Sequence, residues 1–216
     1  MFRCGVRSPD LAVELAKRAI ELEGINFKGV MSHQSIKGYT NEEERWKIGE
    51  EYIDICLESK RAIEEAGMDV EIVSTGETFT FDIVLKYPEI TEVQGGTYAL
   101  MDLNYPYMPF DIAVKVLTTI VDVDDDKITI DAGNKCIAAP NNATPLIEGV
   151  KSDLVEMGLD YSVHKILDDK KYNIGDKVYL LTTHEDGLMN RWDKFVGIRD
   201  EIVEGSWDIL GRGCHH

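Results

Sequence analysis

The chain has 216 residues, 44% of them hydrophobic, and a formal net charge of −17. That length buries a substantial core, as one large domain or two small ones. The excess of carboxylates repels phosphate backbones and anionic lipid surfaces, which excludes nucleic acid and membrane as partners.

No apolar run approaches the roughly 18 residues of a spanning helix, and the N-terminus carries no signal-peptide pattern. Cys4, Cys56, Cys136 and Cys214 are scattered without a C-x-x-C pair. They read as free thiols in a reducing compartment, so a cytoplasmic location is expected.

In chain order, "CGV" (4–6) reads as a strand end. Ser8-Pro9-Asp10 then opens a helix, with Ser8 as N-cap and Pro9 at the first helical position. Leu11, Leu15, Ala19 and Leu22 form its apolar stripe, closed by Gly24. "INFKGVM" (25–31) is the next strand. Thr40-Asn41-Glu42-Glu43 is a capping box opening a long helix through Trp46, Tyr52, Ile55, Ser59 and Ile63 to Gly67. "DVEIVS" (69–74) is a strand, Phe79–Tyr87 a helix and "ITEVQ" (90–94) a strand. This rhythm predicts parallel strands with helical crossovers.

Beyond residue 110 the pattern becomes β. "AVKVLTTIVDV" and "KITIDAG" flank the acidic turn Asp124–Asp126. "KVYLLTTH" and "FVGIRDEIVEGSWDIL" follow, the latter turning at Arg199-Asp200. No helical period longer than Ile147–Met157 appears here. The expected fold is therefore α/β plus all-β: an α/β domain over 1–110, with Tyr105–Pro109 as linker, and a β-rich domain over 111–216.

Chemistry concentrates at predicted strand ends. In "VSTGETFT" (73–80), Gly76 sits between a strand and a helix among Ser74, Thr75 and Thr78. "QGGTYALMD" (94–102) repeats the arrangement with Gly96 and Thr97, and Tyr98 beside them. Backbone N–H groups at such turns cradle phosphate, and turns after consecutive parallel strands share one sheet edge; ordinary tight turns are the alternative. His33 and Arg3 lie at further strand ends, and Lys135 in "DAGNK" is a candidate cation. His184 and Asp186, two apart at the end of a strand, would face the same way and converge on a divalent ion, with Glu185 turned to solvent; a surface loop ending the strand is the alternative.

Taken in order, these motifs resemble the D-threonine aldolases and eukaryotic-type D-serine dehydratases, relatives of alanine racemase with fold-type III pyridoxal-phosphate chemistry. The resemblance rests on "R-x-G-V", "F-x-G-V-M" before His33, "V-S-T-G-E-T-x-T", "T-E-V-x-x-G-T-Y-x-x-M-D", "D-A-G-N-K" and "G-D-K-V-Y-L-L-T-T-H-E-D". It implies a partial alanine racemase-like (β/α) barrel over 1–110 holding pyridoxal 5'-phosphate, and a C-terminal β domain with a metal site.

By resemblance, Ser74, Thr75, Gly76, Gly96 and Thr97 hold the cofactor phosphate, with Tyr98 alongside. Arg3 faces the pyridoxal oxygen and His33 the ring, both in catalytic positions. His184 and Asp186 bind Mn, Mg, Co or Zn, since H-x-D is the aldolase form where dehydratases carry H-x-C. The implied reaction is retro-aldol cleavage of a D-3-hydroxy amino acid to glycine and an aldehyde, by a cytoplasmic homodimer. Dehydration of D-serine, or cofactor binding without catalysis, are the alternatives. The family's Schiff-base lysine, in an H-x-K context on an earlier strand, has no counterpart here. The chain is either a C-terminal portion of a longer enzyme, the expected reading because the other ligand positions are intact, or a degenerate relative.

Overall fold

The computed structural model describes residues 4–34, 41–138 and 144–214. The chain forms two compact units, Met1–Tyr98 and Ala99–His216. The division falls before the 105–109 stretch that the sequence suggests as linker.

In the first unit, helix α1 (Pro9–Ile20) starts as its residues dictate: the Ser8 hydroxyl accepts from Leu11 N–H at 3.3 Å and Pro9 fills the first turn. Its buried face, however, is Ala12 and Ala16, packed with Ile63, while Leu11 and Leu15 are exposed. Small side chains let α1 lie close against helix α2 (Glu42–Glu65), so the alanine stripe wins over the neighbouring leucine stripe.

The N-cap of α2 is Asn41, whose Oδ1 accepts from the N–H groups of Glu43 and Glu44. Thr40 lies outside the described residues. The helix buries Ile53, Cys56, Leu57 and Ile63, not the expected line through Ile55, which is exposed.

Residues 4–6 form bends, and the strand expected there is absent. Strands β1 (Gly29–Met31) and β2 (Ile72–Ser74) pair in parallel. "ITEVQ" contributes only a parallel bridge, Ser74 to Glu92. A 3-10 turn (Thr78–Thr80) runs into the short helix α3 (Phe81–Val84), so the expected 79–87 helix begins and ends earlier. Ile53, Leu57, Val73, Ile83 and Val84 make the core between helices and strands.

The second unit is built on a six-stranded antiparallel sheet. In chain order its strands are β3 (Val116–Asp124), β4 (Lys127–Ile130), β5 (Leu146–Ile147), β6 (Ser152–Met157), β7 (Ser162–Ile166) and β8 (Lys177–Leu181); in space they run β5-β8-β3-β4-β7-β6. The end strands β5 and β6 pack against each other, so the sheet curls nearly into a barrel. The acidic turn forms as read, with Asp125 at φ 48° between β3 and β4. The Ile147–Met157 stretch is strand, not helix: Gly149 takes a turn at φ 69°, and β6 alternates half-buried and exposed residues. Inside the barrel lie Val116, Ile120, Ile128, Ile130, Ile137 and Leu180. Helix α4 (Glu185–Met189) follows β8, and the hairpin β9 (Lys194–Arg199) with β10 (Ile202–Asp208) closes the unit.

Gly133 in "DAGNK" shows why a glycine stands there. A Cβ would lie 2.7 Å from the carbonyl oxygens of Gly158 and Leu159 and from the Tyr161 nitrogen. Backbone atoms cannot step aside as flexible side chains do. Gly133→Ala should therefore lower unfolding free energy by about 2 kcal/mol in urea titration; an unchanged midpoint would contradict this packing.

Candidate functional site

Three chain segments end together in the first unit. Ser32 N–H donates to the Ser74 carbonyl at 3.0 Å, and Thr75 N–H to the Glu92 carbonyl at 3.0 Å. Gln94 Nε2 spans them, donating to Ser74 O at 2.9 Å and Ser74 Oγ at 3.0 Å. This edge receives both Gly/Thr turns, which meet where Tyr98 N–H donates to the Thr78 hydroxyl at 3.1 Å.

Within the edge, the expected phosphate ligands differ in availability. The Ser74 hydroxyl is already committed, donating to Glu92 Oε1 at 2.8 Å while it accepts from Gln94. Thr75 is fully buried; its Oγ1 has no nitrogen or oxygen partner and lies against the buried Cys56 thiol, which it contacts as a weak hydrogen-bond partner. Burial pushes that thiol's pKa up, keeping it neutral. Gly76 turns the chain at φ 84°, a conformation costly for other residues. The acid at this turn, Glu77, is tied inward: its carboxylate accepts from Thr80 N–H, and Thr80 Oγ1 accepts from Glu77 N–H. Gly96 faces open space, and Thr97 starts a short 3-10 turn (Thr97–Ala99). Tyr98 is half exposed and His33 exposed. Arg3 lies outside the described residues.

The second unit holds His184 and Asp186, but not on a strand. Strand β8 stops at Leu181 because Thr182 diverts the backbone: its hydroxyl donates to Ala138 O at 3.0 Å and accepts from His184 N–H at 3.3 Å. His184 then becomes the N-cap of α4, Nδ1 accepting from Gly187 N–H at 2.9 Å. Asp186 is exposed in the first turn, and Glu185, expected in solvent, is buried. The same-face geometry of a strand therefore does not apply.

Imidazole nitrogen with carboxylate oxygen remains a donor set suited to divalent ions, and the Gly187 contact engages only Nδ1 of the ring. Beside it, the buried Thr183 Oγ1 has no partner. Among the described residues no group of three or more His, Cys, Asp or Glu side chains gathers as a metal cluster. An ion there would take two protein donors and complete its shell elsewhere. Lys135, the candidate cation, is spent on an exposed ion pair with Asp160 at 2.9 Å. Among the described residues no helix is long and apolar enough to cross a membrane.

The architecture is that of alanine racemase-like proteins of fold type III. Against the alanine racemase of Clostridium difficile 630 the TM-score is 0.61 at 18% identity, covering 97% of this chain and 64% of that one. The likeness is greater to the crystal structure of D-threonine aldolase from Filomicrobium marinum: TM-score 0.92, 24% identity, all of this chain and 62% of that one. In sequence, residues 113–198 match the family described as "Putative serine dehydratase domain". The D-threonine aldolase of Arthrobacter sp is 29% identical over 98% of this chain and 58% of its own length. Over almost its whole length the chain is similar to D-threonine aldolases, and over residues 113–198 to the serine dehydratase domain. It spans about three fifths of the length of these relatives, 58% of one and 62% of the other.

Gln34 and Arg45 escaped the sequence reading. Each looks like a solvated polar residue, and each is buried: Gln34 is 2% exposed and Arg45 5%.

Proposed function

We propose that the chain serves a pyridoxal-phosphate- and divalent-metal-dependent lyase that cleaves D-3-hydroxy amino acids to glycine and an aldehyde. The observation that carries this reading is the meeting of the two Gly/Thr turns through Thr78 and Tyr98, in a chain aligned over 98% of its length with a D-threonine aldolase. The Thr75 hydroxyl, without a nitrogen or oxygen partner, and the open approach to Gly96 suit a phosphate, which would be held with Gly76 and Thr97. Ser74, engaged with Glu92 and Gln94, serves to fix the edge.

When bound, pyridoxal phosphate would supply an electron sink beside the substrate Cα, and the ion a Lewis acid for the β-hydroxyl. Arg3 would hydrogen-bond the pyridoxal oxygen, His33 would face the ring with Tyr98 near it, and His184 with Asp186 would orient the ion. The test is release of glycine and acetaldehyde from D-threonine by the full-length protein; no release with any divalent ion ends the aldolase reading. The match of residues 113–198 to a serine dehydratase domain favours a second reading, D-serine dehydration, which pyruvate formation would reveal. If no lysine is supplied to anchor the cofactor, the chain is a non-catalytic pyridoxal-phosphate binder.

For the ion, Nδ1 of His184 is occupied by the Gly187 amide, so ligation would use Nε2. A metal there places the ring proton on Nδ1, turning the Gly187 contact into donor against donor. Ligation and capping thus compete. His184→Ala and Asp186→Ala are each expected to weaken Mn²⁺ binding at least about tenfold by calorimetry. Amide exchange at Gly187 should quicken when Zn²⁺ is added. Unaltered Mn²⁺ binding in both variants would move the metal site elsewhere.

A homodimer is also proposed. On one face of the hairpin β9–β10 Val196, Ile198 and Val203 are exposed, an apolar surface suited to burial against another chain. Light scattering at monomer mass would overturn it.

A further inference from the structure

At the strand ends of the first unit, a buried side-chain amide stays unpaired after the surrounding contacts are assigned. Gln34 lies just beyond β1, after Ser32 and His33, and is 2% exposed. Its Oε1 accepts from the Thr80 hydroxyl at 2.6 Å. Thr80 Oγ1 accepts in turn from Glu77 N–H at 3.0 Å. The carboxamide is therefore fixed by the same turn that carries Gly76. Its other end, Nε2 with two N–H protons, has no partner.

An unpaired buried donor costs about 1–3 kcal/mol, more than leucine would cost at the same place. Thr75 Oγ1, following β2, is a second buried atom, with no nitrogen or oxygen partner and only the Cys56 thiol beside it. Both are able to donate: a hydroxyl and an amide N–H. Donors left over on neighbouring strands suit an anionic oxygen, and an amide N–H repels a cation.

We infer that Gln34 is a further anion ligand of this unit, its carboxamide donating to a phosphoryl oxygen held by the Gly76 and Gly96 turns. The inference rests on the phosphate reading above and adds a residue to it. Thr80 is the positioning residue: by taking Gln34 Oε1 it leaves Nε2 free to donate to the ligand. The class of ligand is a phosphate or phosphate monoester, for which inorganic phosphate and pyridoxal phosphate are the two probes.

The experiment measures both probes by calorimetry and ³¹P NMR on the intact chain and on two variants. Gln34→Leu removes the donors. Gln34→Glu keeps an oxygen for Thr80 and sets a carboxylate where the donors were. Each variant is expected to bind both probes at least tenfold more weakly, while the melting temperature of ligand-free Gln34→Leu is not lowered. A structural glutamine gives the opposite pair, a lowered melting temperature and unchanged affinity, and that result overturns the inference.

A measurement independent of either variant's folding is the Gln34 side-chain NH₂ signal of the unsubstituted chain. It should shift and gain exchange protection as phosphate is added; phosphate binding without that shift also overturns the inference. If the unsubstituted chain binds neither probe, the phosphate reading itself falls, a result distinct from failure at Gln34 alone.

Discussion

Acidification from pH 6.5 to 4 should lower the unfolding free energy by about 3 kcal/mol through a single residue, His164. The ring lies on β7, 1% exposed, with Nε2 hydrogen-bonded to Ser162 Oγ at 3.0 Å. Its ladder partners are Ile128 on β4 and Leu154 on β6, neither of which compensates a charge. Burial depresses its pKa to about 4 from 6.5.

The sign follows from proton counts. Above pH 6.5 folded and unfolded chains are both neutral at this ring, so nothing is lost. Between 6.5 and 4 the unfolded chain takes up a proton that the folded chain refuses, and stability falls by about 1.4 kcal/mol per pH unit. Below 4 both forms are protonated and the loss stops growing. Asp82 and Asp131 have pKa values lowered from 3.8, so their contributions are lost at more acid pH, in a separate window. Urea titrations of the parent and of His164→Gln across this range measure the effect. The parent should show the steeper slope by one proton, and parallel curves would mean that His164 does not carry the acid sensitivity.

What the sequence made legible is what side chains do to their own backbone. Ser8 and Pro9 start α1, and the three aspartates turn β3 into β4, because caps and tight turns are satisfied locally. The same holds for the Gly/Thr turns. Facing was harder. Leu11 and Leu15 outscore Ala12 and Ala16 in hydrophobicity, yet close approach of two helices selects small residues, and periodicity alone cannot choose between adjacent stripes. Ile147–Met157 shows spacings that suit a helix or a half-buried strand; sheet pairing with β7 and β8 decides it. His184 and Asp186 were visible as residues but not as geometry, because Thr182 ends the strand through Ala138, 44 positions away. Gln34 is fixed by Thr80, 46 positions away. No local pattern encodes a partner at that separation.

Arg45→Met should cost about 3 kcal/mol of folding free energy, by urea titration at neutral pH. Arg45 stands in the second turn of α2 behind three glutamates, where an arginine usually lies in water. Here it is buried. Nη1 donates to Phe79 O and to Asp82 Oδ1, both at 2.8 Å, and Nη2 to Asp82 Oδ2 at 2.7 Å. The two-pronged contact locks α2 onto the segment that contains the Gly76 turn, and the guanidinium beside Asp82 holds that carboxyl below its usual range. Because the folded pKa is depressed, this part of the stability is present at neutral pH and is lost as pH falls through the folded value. Arg45→Lys keeps the charge but not the planar fork, and should recover only part of the loss. The double variant Arg45→Met/Asp82→Leu is expected to be more stable than Arg45→Met alone, since removing both charges costs less than stranding one. The side chain of Asp82 is 32% exposed, so water takes up some of the stranded charge and the upper end of the buried-pair range is not expected. A loss below about 1 kcal/mol in Arg45→Met would place this pair among surface ion pairs, and the Gly76 turn would then owe its position to the apolar contacts of Ile83 and Val84 with Ile53 and Leu57.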